Sequence, residues 1–415
     1  MILDLKPPSG GFFLGGIMDR KIKLSELFIV LFLFLIAIIS GYYYVNVIKR
    51  NELRLKLYPI QAKLEQTALQ CTDGSPIWLK QVLEHTSVLH RAPNTQIAYM
   101  SPKGQLSHCE SGYLGVPLFS EKVTAETRFR YASVSKLWTS DAVLDFIKQQ
   151  KFQLDTPILK LLPPIPTPQD ARISRITVGD LLLHRAGFNR TGLIGDEMFK
   201  SGQTPFCPSS LERLAQEKLT FDPNTTYSYS NLGYCLLGEA IAQQEHMRYR
   251  DLIEKKYGLA REGIQFLDNQ RKGDEAKYLY VETSLTGYGD IYKAFDFPAL
   301  ASSAGLSGSA SALAIQITNM TKKPQPNILS QPELTCDITK LRDCYGYAMF
   351  PYQQDKESLK VYFRDGTLLG MSSLVVVDDQ GGVVTLLSSG QAVQGQQQYD
   401  QTKMLIYKYL KQQYP

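Results

Sequence analysis

Thr127-Arg-Phe-Arg-Tyr-Ala-Ser-Val-Ser-Lys136 decides how this chain is read, because it turns a strand-like run into the start of a helix. Arg128 to Ala132 alternates in the manner of a strand, and 136–150 carries helical spacing with no proline or glycine. The junction holds Ser133-Val134-Ser135-Lys136, the single Ser-x-x-Lys of the chain. At i and i+3 a hydroxyl and an ammonium share one helix face. A serine there also offers its own backbone N–H to a developing oxyanion. Taken alone, the same four residues also describe a plain helix cap followed by a solvated lysine.

A second segment, 96 residues downstream of Ser133, adds Tyr229-Ser230-Asn231. Polar residues from Asp222 onward run directly into the apolar stretch Leu232 to Gly238, so Tyr229 falls on a loop at a helix start. A phenol is a poor base in water, but an adjacent ammonium favours its ionised form and the pair can relay a proton. Asn231 is suited to orienting Lys136 or holding a substrate amide.

With their flanks, both segments resemble the class C β-lactamase and penicillin-binding-protein-like serine hydrolases. The resemblance extends to Leu154-Asp-Thr-Pro157, Ile176-Thr-Val-Gly-Asp-Leu-Leu-Leu-His-Arg-Ala-Gly187 and Ser302-Ser-Ala-Gly-Leu306, in family order, and covers about residues 90–410. It implies Ser133 as nucleophile, Lys136 and Tyr229 as its proton handlers, and Asn231 in the second motif. The third motif maps onto Tyr362-Phe-Arg-Asp-Gly-Thr367, with Arg364 at the Lys/His position, Asp365 in the middle and Gly366 at the glycine. The backbone N–H groups of Ser133 and Thr367 would then form the oxyanion hole. Arg364 is suited to hold a substrate carboxylate. Asp365 is the departure: it would repel such a carboxylate or pair with Arg364, which shifts the expectation toward esters or amides without a free carboxylate. His184 lies in the block that reads as a structural helix, and it reads as a structural histidine.

The implied function is acyl transfer through a covalent serine ester on an amide or ester in the cell envelope, of β-lactamase, D-Ala-D-Ala carboxypeptidase or esterase type. Peptidoglycan-derived and other small substrates fit it. The alternatives are a penicillin-binding sensor that acylates without turnover, or an inactive binding module of the same fold.

Composition bounds the rest. The chain has 415 residues, is 44% hydrophobic and 20% charged, and carries a formal charge of +5. No basic stripe interleaved with aromatics occurs, which disfavours nucleic-acid binding. The six cysteines include no Cys-x-x-Cys and the five histidines no His-x-x-x-His, which disfavours a structural zinc site, and the implied acyl transfer needs no cofactor. Disulfides and buried free thiols both suit the cysteines, with Cys336 and Cys344 the most local pair.

Residues 27–48 carry no charge, and as a helix they would cross a hydrocarbon core of roughly 30 Å. Tyr42, Tyr43 and Tyr44 suit an interfacial belt. No small-residue cleavage site follows, so an uncleaved anchor is favoured over a signal peptide. Arg20, Lys21 and Lys23 precede the span while Lys49, Arg50, Arg54 and Lys56 follow it, so charge alone does not orient it. The resemblance puts the catalytic domain on the extracytoplasmic side, periplasmic in a Gram-negative cell.

The expected layout is an N-terminal tail over 1–26 (with Met18 as an alternative start), the span, a juxtamembrane spacer and first helix over 49–90, and the hydrolase domain over 91–415. Apolar residues at helical spacing, Leu53, Leu57, Ile60 and Leu64, mark the spacer. Strand patterns at 96–100, from Leu106, and at 345–350, 359–363, 373–377 and 383–387 flank helices at 136–150, 176–184, 232–256 and 397–413. The expected fold is mixed α/β (α+β), β-lactamase/transpeptidase-like: an antiparallel sheet built from both ends of the domain, with a helical subdomain inserted.

Overall fold

The computed structural model describes residues 24–189, 206–278, 291–332, 336–390, 392 and 395–414. The Met18 start and the basic residues 20, 21 and 23 lie outside them. The chain divides into two compact units, Met1–Leu53 and Arg54–Pro415.

The first unit carries α1 (Leu24–Val45), whose Ser25–Val45 stretch has a mean hydropathy of 2.4 and is long and apolar enough to cross a membrane. Asn46 separates it from α2 (Val47–Gln66), which runs on into the second unit. Within the second unit, the part of α2 from residue 54 onward packs through a face other than Leu57, Ile60 and Leu64. Tyr58 and Ala62 are buried and Leu55 packs beside them, while Leu57, Ile60 and Leu64 face outward. The anchoring face is instead polar as well as apolar: Glu65 accepts the Tyr113 N–H at 2.9 Å, and Tyr58 Oη donates to the Ser87 carbonyl at 2.9 Å.

The second unit continues with β1 (Gln70–Cys71), α3 (Ile77–Leu89), β2 (Thr95–Met100), β3 (Leu106–Ser111), β4 (Phe129–Arg130), α4 (Lys136–Lys148), α5 (Val178–Leu182), α6 (Asn231–Glu245) and α7 (Tyr249–Tyr257). There follow β5 (Gln265–Phe266), α8 (Ile291–Ala294), α9 (Ala301–Ala304), β6 (Leu306–Gly308), α10 (Ala310–Thr321), β7 (Phe350–Gln353), β8 (Lys360–Leu368), β9 (Met371–Asp378), β10 (Val383–Ser388) and α11 (Gln396–Gln413).

Seven strands form one antiparallel sheet in the order β1-β3-β2-β10-β9-β8-β7. The pairing of Thr95–Met100 with Val383–Ser388 closes the domain from its two ends, as the strand pattern predicts. Alternation sorts the side chains of β9 to two cores. Leu374 and Val376 meet Trp78, Val82, Ile406 and Leu410 of α3 and α11, while Val375 and Val377 join the large core that contains Trp138, Leu236 and Leu313. A three-stranded sheet, β4-β6-β5, lies within the helical part.

Three details depart from the sequence expectation. The expected strand over 345–350 begins only at Phe350; before it, the Tyr345 hydroxyl accepts from Arg364 and the Tyr347 carbonyl accepts from Ser140. The 232–256 helix is broken at His246, which closes α6 in the left-handed region at φ 49°. The 176–184 stretch is helical only over Val178–Leu182, entered by a capping box of Thr177 and Asp180.

Cysteine usage is resolved as three disulfides: Cys71–Cys109, Cys207–Cys235 and Cys336–Cys344. The first ties β1 to β3 across directly paired residues.

Candidate active site

Ser133 sits in a single 3₁₀ turn, Ala132–Ser135, that leads into α4. Ala132 adopts φ 45°, a left-handed conformation that costs a non-glycine residue about 1 kcal/mol or more. The surroundings impose this turn. The Tyr131 N–H donates to the Leu306 carbonyl at 2.8 Å, Ser135 Oγ accepts the Leu306 N–H at 3.0 Å, and Ser373 Oγ donates to the Tyr131 carbonyl at 2.7 Å. β6 and β9 therefore hold the turn from two sides.

Lys136 is fully buried, and its ammonium donates to Asn231 Oδ1 at 2.6 Å and to the Ser303 carbonyl at 2.8 Å. A buried ammonium is tolerated only when its donors are matched in this way. Tyr229 Oη donates to Ser133 Oγ at 2.6 Å, and Lys136 Nζ lies 4.9 Å from the centre of the Tyr229 ring. The four residues of the first two motifs thus form two hydrogen-bonded pairs, Lys136 with Asn231 and Tyr229 with Ser133, joined by the ammonium beside the Tyr229 ring.

The Tyr229 loop is shaped from behind by His184. Its Nδ1 accepts the Ser230 N–H at 3.1 Å, its carbonyl accepts the Ser228 N–H at 2.7 Å, and its ring lies 4.4 Å from that of Tyr229. His184 is a positioning residue, in line with its structural reading. Ser230 then caps α6 by accepting the Gly233 N–H.

The third motif lies on β8, beside the nucleophilic turn. A Cβ built on Gly366 would meet Ser373 Oγ at 2.6 Å, the Tyr131 carbonyl oxygen at 2.7 Å and the Ser133 nitrogen at 2.9 Å. Only glycine fits this approach. Thr367 is exposed at the rim and pairs with Ser372 next to the Leu368–Met371 turn. Alternation along an antiparallel ladder points the Thr367 N–H away from β9.

Arg364 and Asp365 do not pair, which corrects one expectation. Successive strand residues face opposite sides. Arg364 faces the nucleophile, and Asp365 faces α11, where it pairs with Lys403 at 3.1 Å and with Arg342. These two cations hold the Asp365 carboxyl well below the usual carboxylate range despite its burial. Arg342 and Lys403 also bind Asp400, at 3.3 and 3.2 Å, so the cluster of two cations and two anions is balanced. Asp365 is therefore not free to repel a substrate.

Ser133, Tyr229, Asn231, Arg364, Gly366 and Thr367 line a cavity of about 280 Å³ with an aromatic wall that includes Tyr227, Phe350 and Tyr399. Sequence reasoning missed Ser303, Arg342, Tyr345 and Lys403. The only signal for two of them was their place in or beside the Cys336–Cys344 pair. Among the described residues no group of acidic, histidine or cysteine side chains could hold a metal ion.

A Ser–Lys–Tyr constellation with a buried lysine, set beside β8 of an antiparallel sheet, fits a β-lactamase/transpeptidase-like fold. The Beta-lactamase family model matches residues 112–406, and the chain belongs to that family. Among curated proteins it is 36% identical over 337 residues to a putative fimbrial assembly protein FimD, serogroup D, of Dichelobacter nodosus, covering 81% of this chain and 84% of the relative. It is 28% identical over 127 residues to the D-alanyl-D-alanine-carboxypeptidase/endopeptidase AmpH of Escherichia coli, covering 31% and 33%. Solved structures of the same fold include a β-lactamase/D-alanine carboxypeptidase from Yersinia pestis, with TM-score 0.65, 16% identity and coverage of 81% and 98%. A D-amino acid amidase from Ochrobactrum anthropi superposes with TM-score 0.62 at 16% identity, covering 80% of this chain and 96% of that one.

Proposed function

We propose that this protein is a membrane-anchored serine hydrolase that forms an acyl-enzyme on Ser133. The observation that carries this reading is the 2.6 Å contact between Tyr229 Oη and Ser133 Oγ, beside the buried Lys136 ammonium. In the reacting form the phenol is ionised, favoured by the ammonium, and takes the Ser133 proton. Ser133 Oγ bonds to the substrate carbonyl carbon, whose oxygen becomes an oxyanion between the N–H groups of Ser133 and Thr367. The bond to the leaving nitrogen or oxygen then breaks, and the leaving group takes the proton from Tyr229 or Lys136. Water repeats the sequence to free the acid. Asn231 steadies Lys136 throughout.

The substrate is an amide or ester of the cell envelope, in keeping with the carboxypeptidase and amidase names of similar proteins. Residues 27–48 serve as the anchor and the hydrolase domain lies on the extracytoplasmic side. Three disulfides support an oxidising compartment.

A second reading has one observation behind it: the relatives similar over most of the chain are named for fimbrial assembly. Here the fold would serve as a binding module in the envelope. Labelling with a fluorophosphonate and with a fluorescent penicillin separates the two. The hydrolase reading expects fluorophosphonate label on the wild type and none on Ser133→Ala. Absence of any Ser133-dependent label with either probe leaves only the binding module, and stable penicillin label without turnover identifies a sensor.

A further inference from the structure

The position that would offer a cation to a substrate carboxylate is here turned inward. Arg364 is buried, and its guanidinium grips the nucleophile's own backbone: Nε and Nη2 donate to the Ser133 carbonyl at 3.2 and 3.1 Å. Nη1 donates to Tyr345 Oη at 2.6 Å, and Tyr345 Oη donates onward to the Ala348 carbonyl at 3.3 Å. The guanidinium carbon lies 5.9 Å from the Tyr229 ring centre and 5.7 Å from that of Tyr345. All three of its nitrogens therefore have partners within the protein.

Two consequences follow from the chemistry. A two-pronged bond to the Ser133 carbonyl fixes the 3₁₀ turn whose Ala132 is strained, and so fixes the aim of Oγ and of the Ser133 N–H. A permanent cation about 6 Å from the phenol adds to Lys136 in favouring the phenolate. Other charged or titratable groups facing Tyr229 include Lys136, His184 and Tyr227. A lysine could supply the charge but not the fork.

We infer that Arg364 is a positioning residue for Ser133 and Tyr229 rather than an anchor for substrate, and that the substrate class is one without a carboxylate at this subsite. The inference rests on the acyl-enzyme reading above and goes beyond it.

The test uses the full-length protein and a neutral fluorophosphonate, which has no carboxylate for Arg364 to hold. Second-order labelling rates are measured from pH 5 to 10, beside the hydrolysis of two aryl esters that differ by one carboxylate. For R364Q the expected result is labelling slowed about tenfold or more and a pH midpoint raised by about one unit, with both esters losing the same factor. R364K retains the midpoint and loses rate. Y345F, which removes only the Nη1 partner, loses rate by a smaller factor. Thermal unfolding of each variant reports folding, and R364K with Y345F decide the matter if R364Q does not fold.

Wild-type rate and midpoint in R364Q, or in R364K with Y345F, together with loss confined to the carboxylate ester, overturn the positioning role. A wild type that shows no Ser133-dependent label overturns the hydrolase reading, and this inference with it.

Discussion

At the scale of single residues, Gly366 is the sharpest test of the site. Gly366→Ala places a methyl within 3 Å of Ser373 Oγ, the Tyr131 carbonyl and the Ser133 nitrogen. Two of those three belong to backbone of the nucleophilic turn, so relief has to move the turn. Acylation of Ser133 is expected to fall about a hundredfold or more, the scale of losing an oxyanion donor, while the Tm drops by only a few degrees. Fluorophosphonate labelling beside a thermal melt checks this, and a labelling rate near wild type rules out the packing described. Glycine's need was legible because Ser133, Lys136, Tyr229, Asn231 and Gly366 belong to short motifs at fixed order. The roles of Arg364 and Asp365 were not. Those depend on Tyr345, Arg342 and Lys403, which come from a disulfide loop and a terminal helix and carry no local pattern pointing to β8.

Among the elements, α2 shows how a periodic pattern can identify a helix without identifying the face that docks. Leu53, Leu57, Ile60 and Leu64 predicted the helix, yet Tyr58, Ala62 and Glu65 dock it. Propensity does not report which stripe finds a partner; the complementary groups at Ser87 and Tyr113 lie far along the chain. Docking through Glu65 has a pH signature. Burial raises its carboxyl from 4.5 to about 7, opposed by its bonds from Gln61 and the Tyr113 N–H. A folded-state value above the unfolded one means that stability is full below pH 4.5 and is lost as pH rises toward 7. The slope reaches about 1.4 kcal/mol per pH unit, a total of about 3 kcal/mol if nothing compensates. Glu65→Gln keeps an acceptor for Tyr113 and cannot ionise. Urea unfolding at pH 5 and pH 8 is expected to show the variant gaining on the wild type at pH 8 and not at pH 5. Parallel pH dependence of the two proteins would show that Glu65 titrates as an ordinary surface acid.

Across the whole molecule, the sheet closes on strands from both ends of the domain, and the disulfides fasten different parts of that closure. Cys71–Cys109 encloses 38 residues and joins β1 to β3 at the sheet edge, away from Ser133. Cys336–Cys344 encloses only 8, but its loop carries Arg342 to Asp365 and delivers Tyr345 to Arg364. Loop-closure entropy ranks them for stability at about 4 and about 2.5 kcal/mol. Their ranking for catalysis is the reverse, because only the short loop reaches the residues that aim Ser133. Paired alanine replacements should therefore separate the two effects. C71A/C109A is expected to unfold at lower denaturant with a near-normal labelling rate when folded. C336A/C344A is expected to lose less stability and to label several-fold more slowly, since Tyr345 and Arg342 no longer start from a closed loop. Equal labelling by both variants under folding conditions would mean that β8 holds Arg364 and Asp365 without help from the loop, and would confine the disulfide's role to stability.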